Sequence, residues 1–487
     1  MPHDGFLHDI CACPADDTPR LVYADWLEEN GEPDLAEFIR VQIELASLGE
    51  VGPRVAALKM REQDLLVAHA TEWLKPLRLA ESRVLFRRGF VAEVQMSPAR
   101  FMNLARRLFR RAPITTLRVD SKDALIGMDE LPHSEYLRLL TTLRLETLLG
   151  DEDDLIALLR PLFNSPHLGG LTNLFLGSNV FSGSIVTAVL RAKHLGGVRY
   201  LDLGFNELND GAAARLARSS FLGQLSALNL SGNDIGNTGV AALAKSENLS
   251  NLRALGLAYT DMSVRGLRDI LAAPLPPLRK LTLGCNEIGD EGARLVARSA
   301  KLAELRELDL GDCRLTVEAA RVLASSSRMA GLTMLQLGNE INGGNAIADE
   351  GVAVIAHSKH LSNVLELDVG DNEVTADGVR ALVESPMLGH LYGLNLSDNP
   401  IGTAGVRFLA NSPHAANLHV LGLQECDLDN EAALALAQSP LLGHFTYLGI
   451  SETSLRPDGL AALRQRFGSG LQTGLSYEKA RENRNWC

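Results

Sequence analysis

Hydrophobic residues recur with two alternating periods along most of the chain. Short segments such as VRYLDLGFN, LSALNLSGN, LRKLTLGCN and LYGLNLSDN alternate apolar and polar positions, whereas the runs that follow them, such as GVAALAKS and GARLVARS, have apolar residues at helical spacing. A period of two predicts a strand, and a period of about 3.6 predicts a helix. Each repeat is therefore predicted to be a short strand followed by a helix.

The central leucine of each predicted strand returns at a nearly constant interval. Successive leucines lie 27 residues apart, except for one step of 26 and one of 32. Because a single strand and helix leave apolar faces unburied, this spacing predicts a stack in which neighbouring repeats cover each other. Weaker copies lie around Leu117 and Leu143. The marker leucines are Leu174, Leu201, Leu228, Leu255, Leu281, Leu308, Leu335, Leu367, Leu394, Leu421 and Leu448.

A polar column lies three residues after the last strand leucine of most repeats. Asparagine fills it in six repeats and cysteine in two. An asparagine amide can satisfy the backbone of adjacent turns, and cysteine is its known substitute, so the column predicts a structural ladder. Its members are Asn179, Asn206, Asn233, Asn286, Cys313, Asn372, Asn399 and Cys426.

The repeat after Leu335 contains the Gly- and Asn-rich sequence GNEINGGNAIADEG. Its five extra residues, near positions 339–348, lie where a strand is expected to turn into a helix. Loops of this kind often carry binding residues, and surface loops also tolerate insertions that have no function. Both interpretations stay open.

The core motif L-x-x-L-x-L-x-x-N, followed by I-G-x-x-G and a helix, resembles the ribonuclease-inhibitor type of leucine-rich repeat. The resemblance covers residues 112–467, or about 13 repeats. It implies an α/β solenoid, a right-handed horseshoe with a parallel sheet on the concave side and helices on the convex side. Ribonuclease inhibitors, Ran GTPase-activating proteins and the sensing halves of intracellular immune receptors contain such repeats, and their shared property is binding of other macromolecules.

Acidic residues dominate the columns that are predicted to point out of the concave face. The basic residue in these columns is Lys280, and the face is predicted to be acidic from Glu307 onward. A concave surface of one charge sign attracts partners of the opposite sign, so a basic protein is the predicted partner. The alternative is that these side chains are simply solvated. The candidate partner-binding residues are Asp202, Glu307, Asp309, Asp312, Glu366, Asp368, Asp371, Asp398, Glu425 and Glu452.

Composition and motifs argue against several classes of protein. The 487 residues carry a formal charge of -13, and the sequence contains neither a signal peptide nor a run of about 18 apolar residues. Six scattered cysteines do not resemble a secreted disulfide framework, so a soluble cytoplasmic protein is predicted. The motifs G-x-x-x-x-G-K-[ST], G-x-S-x-G and H-E-x-x-H are absent, which predicts no enzyme activity and no cofactor.

The segment Lys75–Arg111 is a basic island with ten Lys and Arg residues against Glu81 and Glu93. Within it, RFMNLARRLFRRAP predicts an amphipathic helix whose arginines could bind phosphate groups or acidic lipid. The alternative is a solvated cap that closes one end of the repeat stack. Binding to nucleic acid is disfavoured because the rest of the chain is acidic. The N-terminal residues His3, His8, Cys11 and Cys13 lack zinc-ligand spacing, so no metal site is predicted.

The stretch DDTPRLVYADWLEENGEPDLAEFIRVQ predicts two capped helices near the N-terminus. Thr18 and Pro19 form the predicted N-cap and first helical residue, Gly31 is the left-handed C-cap, and Pro33 begins the second helix. The predicted apolar seam consists of Leu21, Val22, Trp26 and Leu27.

This stretch closely resembles the repeat-companion domain, a short bacterial module found N-terminal to leucine-rich and other repeats. The match covers Phe6–Leu48 and includes D-D-x-x-R-L-V-Y-A-D-W-L-E-E-x-G and A-E-F-I-R-x-Q. The resemblance implies a bacterial protein but no particular activity.

Four segments are predicted: a helical module at 1–50, basic connecting helices and an N-terminal cap at 51–111, the repeats at 112–467, and a tail at 468–487. The predicted function is a non-catalytic scaffold that binds a basic protein on its acidic concave sheet. One alternative is regulation of a small GTPase, which similarity to the Ran GTPase-activating repeats implies. Another is binding of an anionic polymer by the basic cap.

Overall fold

Strand, turn and helix alternate through the computed structural model, which describes residues 2–48, 53–119, 123–338, 344–443, 445–452 and 455–473. The chain divides into two units, Met1–Asn233 and Asp234–Cys487, and each is described by itself. Within each unit, short parallel strands lie side by side in sequence order, and the helices of successive repeats pack against each other. This is the α/β repeat architecture that the sequence predicts.

The first unit opens with α1 (Pro2–Ala12), α2 (Thr18–Glu29), α3 (Pro33–Ser47) and α4 (Pro53–Leu74). Helices α2 and α3 form the predicted helical hairpin. Gly31 turns the chain between them with a φ of +86°, a left-handed conformation that costs glycine little. The helices bury a small core that includes Ile10, Leu27, Ile39 and Phe90.

The structure corrects the predicted start of α2. Asp17 is the N-cap residue, and Thr18, which we predict as the N-cap, already belongs to the helix. The Asp16 carboxylate accepts the Thr18 backbone N–H at 2.9 Å. An upstream aspartate therefore provides the capping bond that we expect from the threonine hydroxyl.

The buried side of α2 also differs from the predicted seam. Leu21 and Val22 are 40% and 50% exposed. Arg20 is buried instead, and its guanidinium donates to the backbone carbonyls of Asp16 and Pro14. A buried arginine is tolerated where such acceptors satisfy it, and helical spacing alone does not reveal them.

An antiparallel hairpin lies within the segment that we predict as connecting helices. It consists of β1 (Val84–Arg87) and β2 (Phe90–Met96). Its two-residue loop, Arg88 and Gly89, has left-handed φ values of +52° and +84°, which match the twist of a tight hairpin. β2 then pairs in parallel with the following strand, with Val94 opposite Leu117. The hairpin thus supplies a strand that continues the row of repeat strands.

The later strands of the first unit share one register. Leu117, Leu143, Leu174, Leu201 and Leu228 lie opposite one another in parallel pairs, and all five are buried. This leucine column is the contact between the strands and the helices behind them. The remaining elements are α5 (Pro98–Leu108), β3 (Thr116–Val119), β4 (Thr142–Arg144), α6 (Glu152–Phe163), β5 (Asn173–Phe175), α7 (Gly183–Leu190), β6 (Tyr200–Asp202), α8 (Asp210–Ala217) and β7 (Ala227–Asn229).

The first half of the second unit repeats this arrangement from Leu255 to Leu335. The marker leucines again pair in parallel register and are buried. The elements are α9 (Gly236–Ala244), β8 (Ala254–Gly256), α10 (Val264–Ala272), β9 (Lys280–Thr282), α11 (Gly289–Arg298), β10 (Glu307–Asp309), α12 (Val317–Ser325), β11 (Met334–Gln336) and α13 (Ala348–Ala356).

The second half of this unit continues the register to Leu448, and β16 then pairs Leu471 with Leu448. Parallel pairing therefore reaches into the segment that we predict as a tail. The elements are β12 (Glu366–Asp368), α14 (Ala376–Val383), β13 (Gly393–Asn395), α15 (Gly402–Ala410), β14 (Val420–Leu423), α16 (Asn430–Gln438), β15 (Tyr447–Ile450), α17 (Pro457–Phe467) and β16 (Leu471–Gln472).

The asparagine column bonds each turn to the preceding repeat. The Nδ2 atom of Asn206 donates to the carbonyls of Leu176 and Leu203, both at 3.0 Å, and its Oδ1 accepts the Phe181 N–H at 3.1 Å. The same donation to a carbonyl of the preceding repeat is made by Asn179, Asn233, Asn286, Asn372 and Asn399.

Other residue types fill the column in some repeats. Cys426 donates its Sγ–H to the Leu396 carbonyl at 3.1 Å, and Cys313 makes a similar bond to the carbonyl of Leu283. Thr260 fills the position in another repeat, but it donates to its own repeat instead. The cysteines thus keep the link to the preceding repeat with a single donor.

Asn345 provides the column residue of the longer repeat. Its Oδ1 accepts the backbone N–H groups of Cys313 and Leu315, both at 2.9 Å, and its Nδ2 donates to the carbonyls of Leu310 and Leu337. It lies eight residues after Leu337 instead of three, so a search at constant spacing misses it. Residues 339–343 of the insertion lie outside the described residues.

Replacing Asn345 by alanine is expected to lower the free energy of unfolding by about 3 kcal/mol, because buried backbone groups of two repeats lose their partners. Chemical denaturation followed by circular dichroism measures the loss. The matched control is Asn363→Ala, which removes a single exposed bond, of 2.8 Å, to the Ala330 carbonyl. Its expected effect is below about 1 kcal/mol, and equal losses in the two variants would contradict the role of Asn345.

Candidate functional site

The ten predicted partner-binding acids lie on strands or in the turns that follow them. Asp202 belongs to the first unit, and the other nine belong to the second. Their surroundings separate them into acids that close turns, acids that pair with a cation, and acids that project from the turns. We describe these groups in that order.

Asp202 is a turn-closing acid. Its Oδ1 accepts the Gly204 backbone N–H at 2.8 Å and the Asn229 Nδ2–H at 2.9 Å. Burial raises the pKa of this carboxyl to about 6, and the charge of Glu146 acts in the same direction, while the two hydrogen bonds and Arg144 oppose the rise. The side chain therefore serves the fold of its own turn and is poorly placed to meet a partner.

Two acids of the second unit occupy the same position. Asp309 accepts the Gly311 N–H at 3.0 Å, and Asp368 accepts the Gly370 N–H at 3.0 Å. Asp368 is buried and also accepts an N–H from Asn395. These acids resemble Asp202 in that a hydrogen bond to the following turn engages the carboxylate.

Two further acids have a cation beside them. Glu307 lies 2.9 Å from Lys280 across neighbouring strands, and Glu452 lies 2.9 Å from Arg464 on α17. Glu366, on β12, is half-buried. The strand positions therefore present less unpaired negative charge than the sequence alone predicts.

Four predicted acids form a distinct set that we call the acidic turn column. Each is the second residue after the last apolar strand position of its repeat, and each has a left-handed backbone. Non-glycine residues seldom adopt this conformation, although aspartate tolerates it better than most. The members are Asp312 (φ 50°), Asp371 (φ 50°), Asp398 (φ 58°) and Glu425 (φ 47°).

Backbone bonds align the acidic turn column from repeat to repeat. The Asp371 N–H donates to the Ser397 carbonyl at 2.9 Å, and the Asp398 N–H donates to the Gln424 carbonyl at 2.8 Å. Neighbouring strands in a sheet lie about 5 Å apart. Carboxylates in consecutive repeats are therefore held close to one another by the backbone.

The carboxylates of this column repel one another. Burial raises the pKa of Asp371, and the charges of Asp312 and Glu373 raise it further. Burial also raises the pKa of Asp398, followed by the charges of Asp371 and Glu425. A cation bound over the column would relieve this repulsion.

Sequence reasoning misses two acids beside the column. Glu373 and Asp427 lie two residues after Asp371 and Glu425, are exposed, and also have left-handed φ values, of 58° and 54°. A count of the fourth position after the last apolar strand residue of each repeat would find them. Arg314, at the same position of another repeat, forms an ion pair with Glu287.

The N-terminal His and Cys residues are dispersed. His3 Nδ1 lies 3.0 Å from the Tyr23 hydroxyl, His8 and Cys11 line a cavity with several arginines, and Cys13 is exposed. Among the described residues, no group of three or more His, Cys, Asp and Glu side chains could hold a metal ion. In the same residues, every helix is too short or too polar to cross a membrane.

Comparison with family models finds leucine-rich repeats in this chain. A model described as "Leucine Rich repeat" matches residues 225–244, 275–297, 360–383 and 390–410. These segments contain the strands β7, β9, β12 and β13 together with all or nearly all of the helices that follow them, α9, α11, α14 and α15. A search of the curated proteins gives no match.

Three solved structures contain chains that are similar to this one. The structure titled as a complex of Rad7 and Elc1 in yeast shares 14% identity, covers 93% of this chain and 94% of that chain, and has a TM-score of 0.50. An internalin of Listeria monocytogenes shares 22% identity over 64% and 82% of the two chains, with a TM-score of 0.38. A leucine-rich-repeat protein of Leptospira interrogans shares 16% identity over 74% and 90%, with a TM-score of 0.35.

Replacing Asp202 by asparagine is expected to reduce the pH dependence of stability. The carboxyl has a pKa of about 6 in the folded protein and about 3.9 when unfolded, so its protonation stabilises the fold at low pH and this contribution is lost as the pH rises through 6. The variant cannot ionise there, and it is expected to gain up to about 3 kcal/mol over the wild type at neutral pH.

Unfolding by denaturant at several pH values between about 4 and 8 tests this expectation. The control is Glu207→Gln, which removes an exposed acid of the same repeat and is expected to keep the wild-type profile. A wild-type profile for Asp202→Asn would contradict the assignment of the raised pKa to this carboxyl.

Proposed function

We propose that this leucine-rich-repeat protein is a non-catalytic scaffold and that it binds a basic protein. The fold favours protein partners. The observation that carries the proposal is the acidic turn column. Within the described part of the chain, no ion pair involves Asp312, Asp371 or Asp398, while the Glu425 carboxylate accepts a bond from the Ser451 hydroxyl.

Two electrostatic effects would favour binding of a basic partner to the acidic turn column. Its cations would pair with carboxylates that have no cation of their own, and they would reduce the repulsion that raises the pKa values of Asp371 and Asp398. Because the backbone already fixes the column, little conformational entropy is lost on binding. Charge complementarity of this kind also accelerates encounter with the correct partner.

The triple variant Asp371→Asn, Asp398→Asn, Glu425→Gln is expected to bind a labelled oligolysine peptide at least about fivefold more weakly than the wild type. The peptide is the probe because its lysines present the side-chain chemistry of a basic partner. Fluorescence anisotropy at low salt gives the dissociation constant, and the same titration at higher salt is expected to reduce the difference.

A matched triple variant separates the site from net charge. Glu350→Gln, Asp377→Asn, Glu384→Gln removes three exposed acids from α13 and from α14 and its C-terminal end, and it changes the net charge equally. Its affinity is expected to stay within about twofold of the wild type. Equal weakening by both triple variants would overturn the proposed binding surface.

A second candidate function, binding of an anionic polymer, is favoured by a cavity of about 700 Å³ in the first unit. Four arginines line it, around the C-terminal end of α5, and its other lining residues include His8 and Cys11. None of these arginines forms an ion pair with another described residue. The apolar side of α5 is buried through Phe101 and Leu108, so the helix presents the arginines outward. The four are Arg106, Arg107, Arg110 and Arg111.

The double variant Arg107→Gln, Arg110→Gln is expected to weaken binding of polyphosphate about tenfold and to reduce the slope of affinity against salt concentration. Filter binding across a salt series measures both quantities. Arg265→Gln, Arg298→Gln is the control, because both side chains are exposed on helices of the second unit. A similar loss in the control, or an affinity independent of salt, would remove this candidate.

A further inference from the structure

A second cavity, of about 420 Å³, lies among the N-terminal helices and the hairpin of the first unit. Five aromatic side chains contribute to its wall. They are Tyr23, Trp26, Trp73, Phe86 and Phe90. A cavity of this volume is within the range of small-molecule sites, about 300–1,000 Å³.

Contacts behind the wall hold the rings in place. Tyr23 is nearly parallel to Trp26, at 11° with centroids 6.0 Å apart, and its centroid lies 6.1 Å from that of Phe90. Buried Phe38 lies 4.8 Å from Trp73 and 5.3 Å from Phe86 by the same measure. The two groups of rings are therefore fixed before any ligand arrives.

The tight turn of the hairpin brings the two groups together. Gly89 lines the cavity with a φ of +84°, and a Cβ atom there would lie 2.4 Å from Ile39 Cγ1. A larger residue would clash with α3 and displace the hairpin. The glycine therefore allows Phe86 and Phe90, on either side of it, to approach the helices closely.

The cavity also carries net negative charge. Glu32 and Glu72 are lining residues with exposed side chains, and neither carboxylate has a hydrogen bond or an ion pair with another described residue. The lining includes a single guanidinium among its described residues, that of Arg111, and the imidazole of His3. Burial and then the charge of Glu32 raise the pKa of Tyr23, so this ring stays neutral.

We propose that this cavity binds a small organic cation with a quaternary ammonium group. The faces of tryptophan and tyrosine attract a cation electrostatically, and an ammonium surrounded by methyl groups gains both this attraction and apolar contact. The two carboxylates at Glu32 and Glu72 add long-range electrostatic attraction for a cation. The site lies on elements other than those of the acidic turn column.

Choline is the probe, and its uncharged isostere 3,3-dimethylbutan-1-ol is the comparison ligand. The full chain reports binding through its own fluorescence, because two of its three tryptophans line the cavity. Calorimetry at constant ionic strength provides an independent dissociation constant. Choline is expected to bind about tenfold more tightly than the alcohol.

The double variant Glu32→Gln, Glu72→Gln is expected to weaken choline binding at least threefold, which corresponds to a loss of about 0.7 kcal/mol of attraction. Binding of the uncharged alcohol is expected to stay unchanged. The control, Glu29→Gln, Asp64→Asn, removes two exposed acids from α2 and α4 that do not line the cavity. Circular dichroism verifies that both variants fold.

Three results would overturn the proposal. The first is equal or tighter binding of the alcohol, which would identify a purely apolar cavity. The second is equal weakening by the control variant, which would identify a general effect of net charge. The third is the absence of any heat or fluorescence change at millimolar choline. None of these results bears on binding of oligolysine, so the two proposals fail independently.

Discussion

Hydrogen bonding of the backbone by a buried amide side chain is the interaction on which the repeats depend. A parallel strand of three residues satisfies few of its own backbone groups, and the turn after it leaves N–H and C=O groups away from water. The Asn206 side chain satisfies such groups in two successive repeats through four hydrogen bonds. The leucine column supplies the apolar contact, but the amide sets the distance and register between one turn and the next.

The same constraint explains why acids accumulate in the turns. Once the amide and the parallel backbone bonds fix the turn, the second residue after the last apolar strand position has a left-handed backbone in the described turns from Thr147 to Glu425, whatever its side chain. Aspartate accepts this conformation, and its carboxylate then lies near those of the adjoining repeats. Burial raises the pKa values of Asp371 and Asp398, and the repulsion that raises them further is a consequence of a geometry that other residues impose. Under the proposed function, a cationic partner would neutralise this charge and relieve its cost to stability.

The repeat fold could be predicted from sequence because its signal is periodic. Leucines at 27-residue steps indicate both the strands and their register, and the paired leucines confirm that prediction. The hairpin around Gly89 has no such repetition, and its tight turn is encoded in two residues. A search of the sequence at constant spacing misses Asn345, because the insertion places it five residues later in its repeat. In the folded protein its side chain nevertheless occupies the asparagine column. Constant spacing therefore predicts the elements that recur in every repeat. It does not predict a feature that occurs once, such as the hairpin or the insertion.

The candidate site could be predicted only as a list of acids. Asp202 and Asp371 are the same residue type, one and four residues after their marker leucines, yet one carboxylate closes its own turn and the other belongs to a row of mutually repelling charges. The difference depends on which backbone N–H group comes within reach, and that is a property of the folded turn. An aspartate directly after the marker leucine can accept a hydrogen bond from the backbone N–H two residues later, as Asp309 does from Gly311. Asp312 lies three residues further on, and its carboxylate accepts no hydrogen bond from another described residue. Position within the turn, more than the density of acids along the chain, therefore decides which carboxylates are available to a partner.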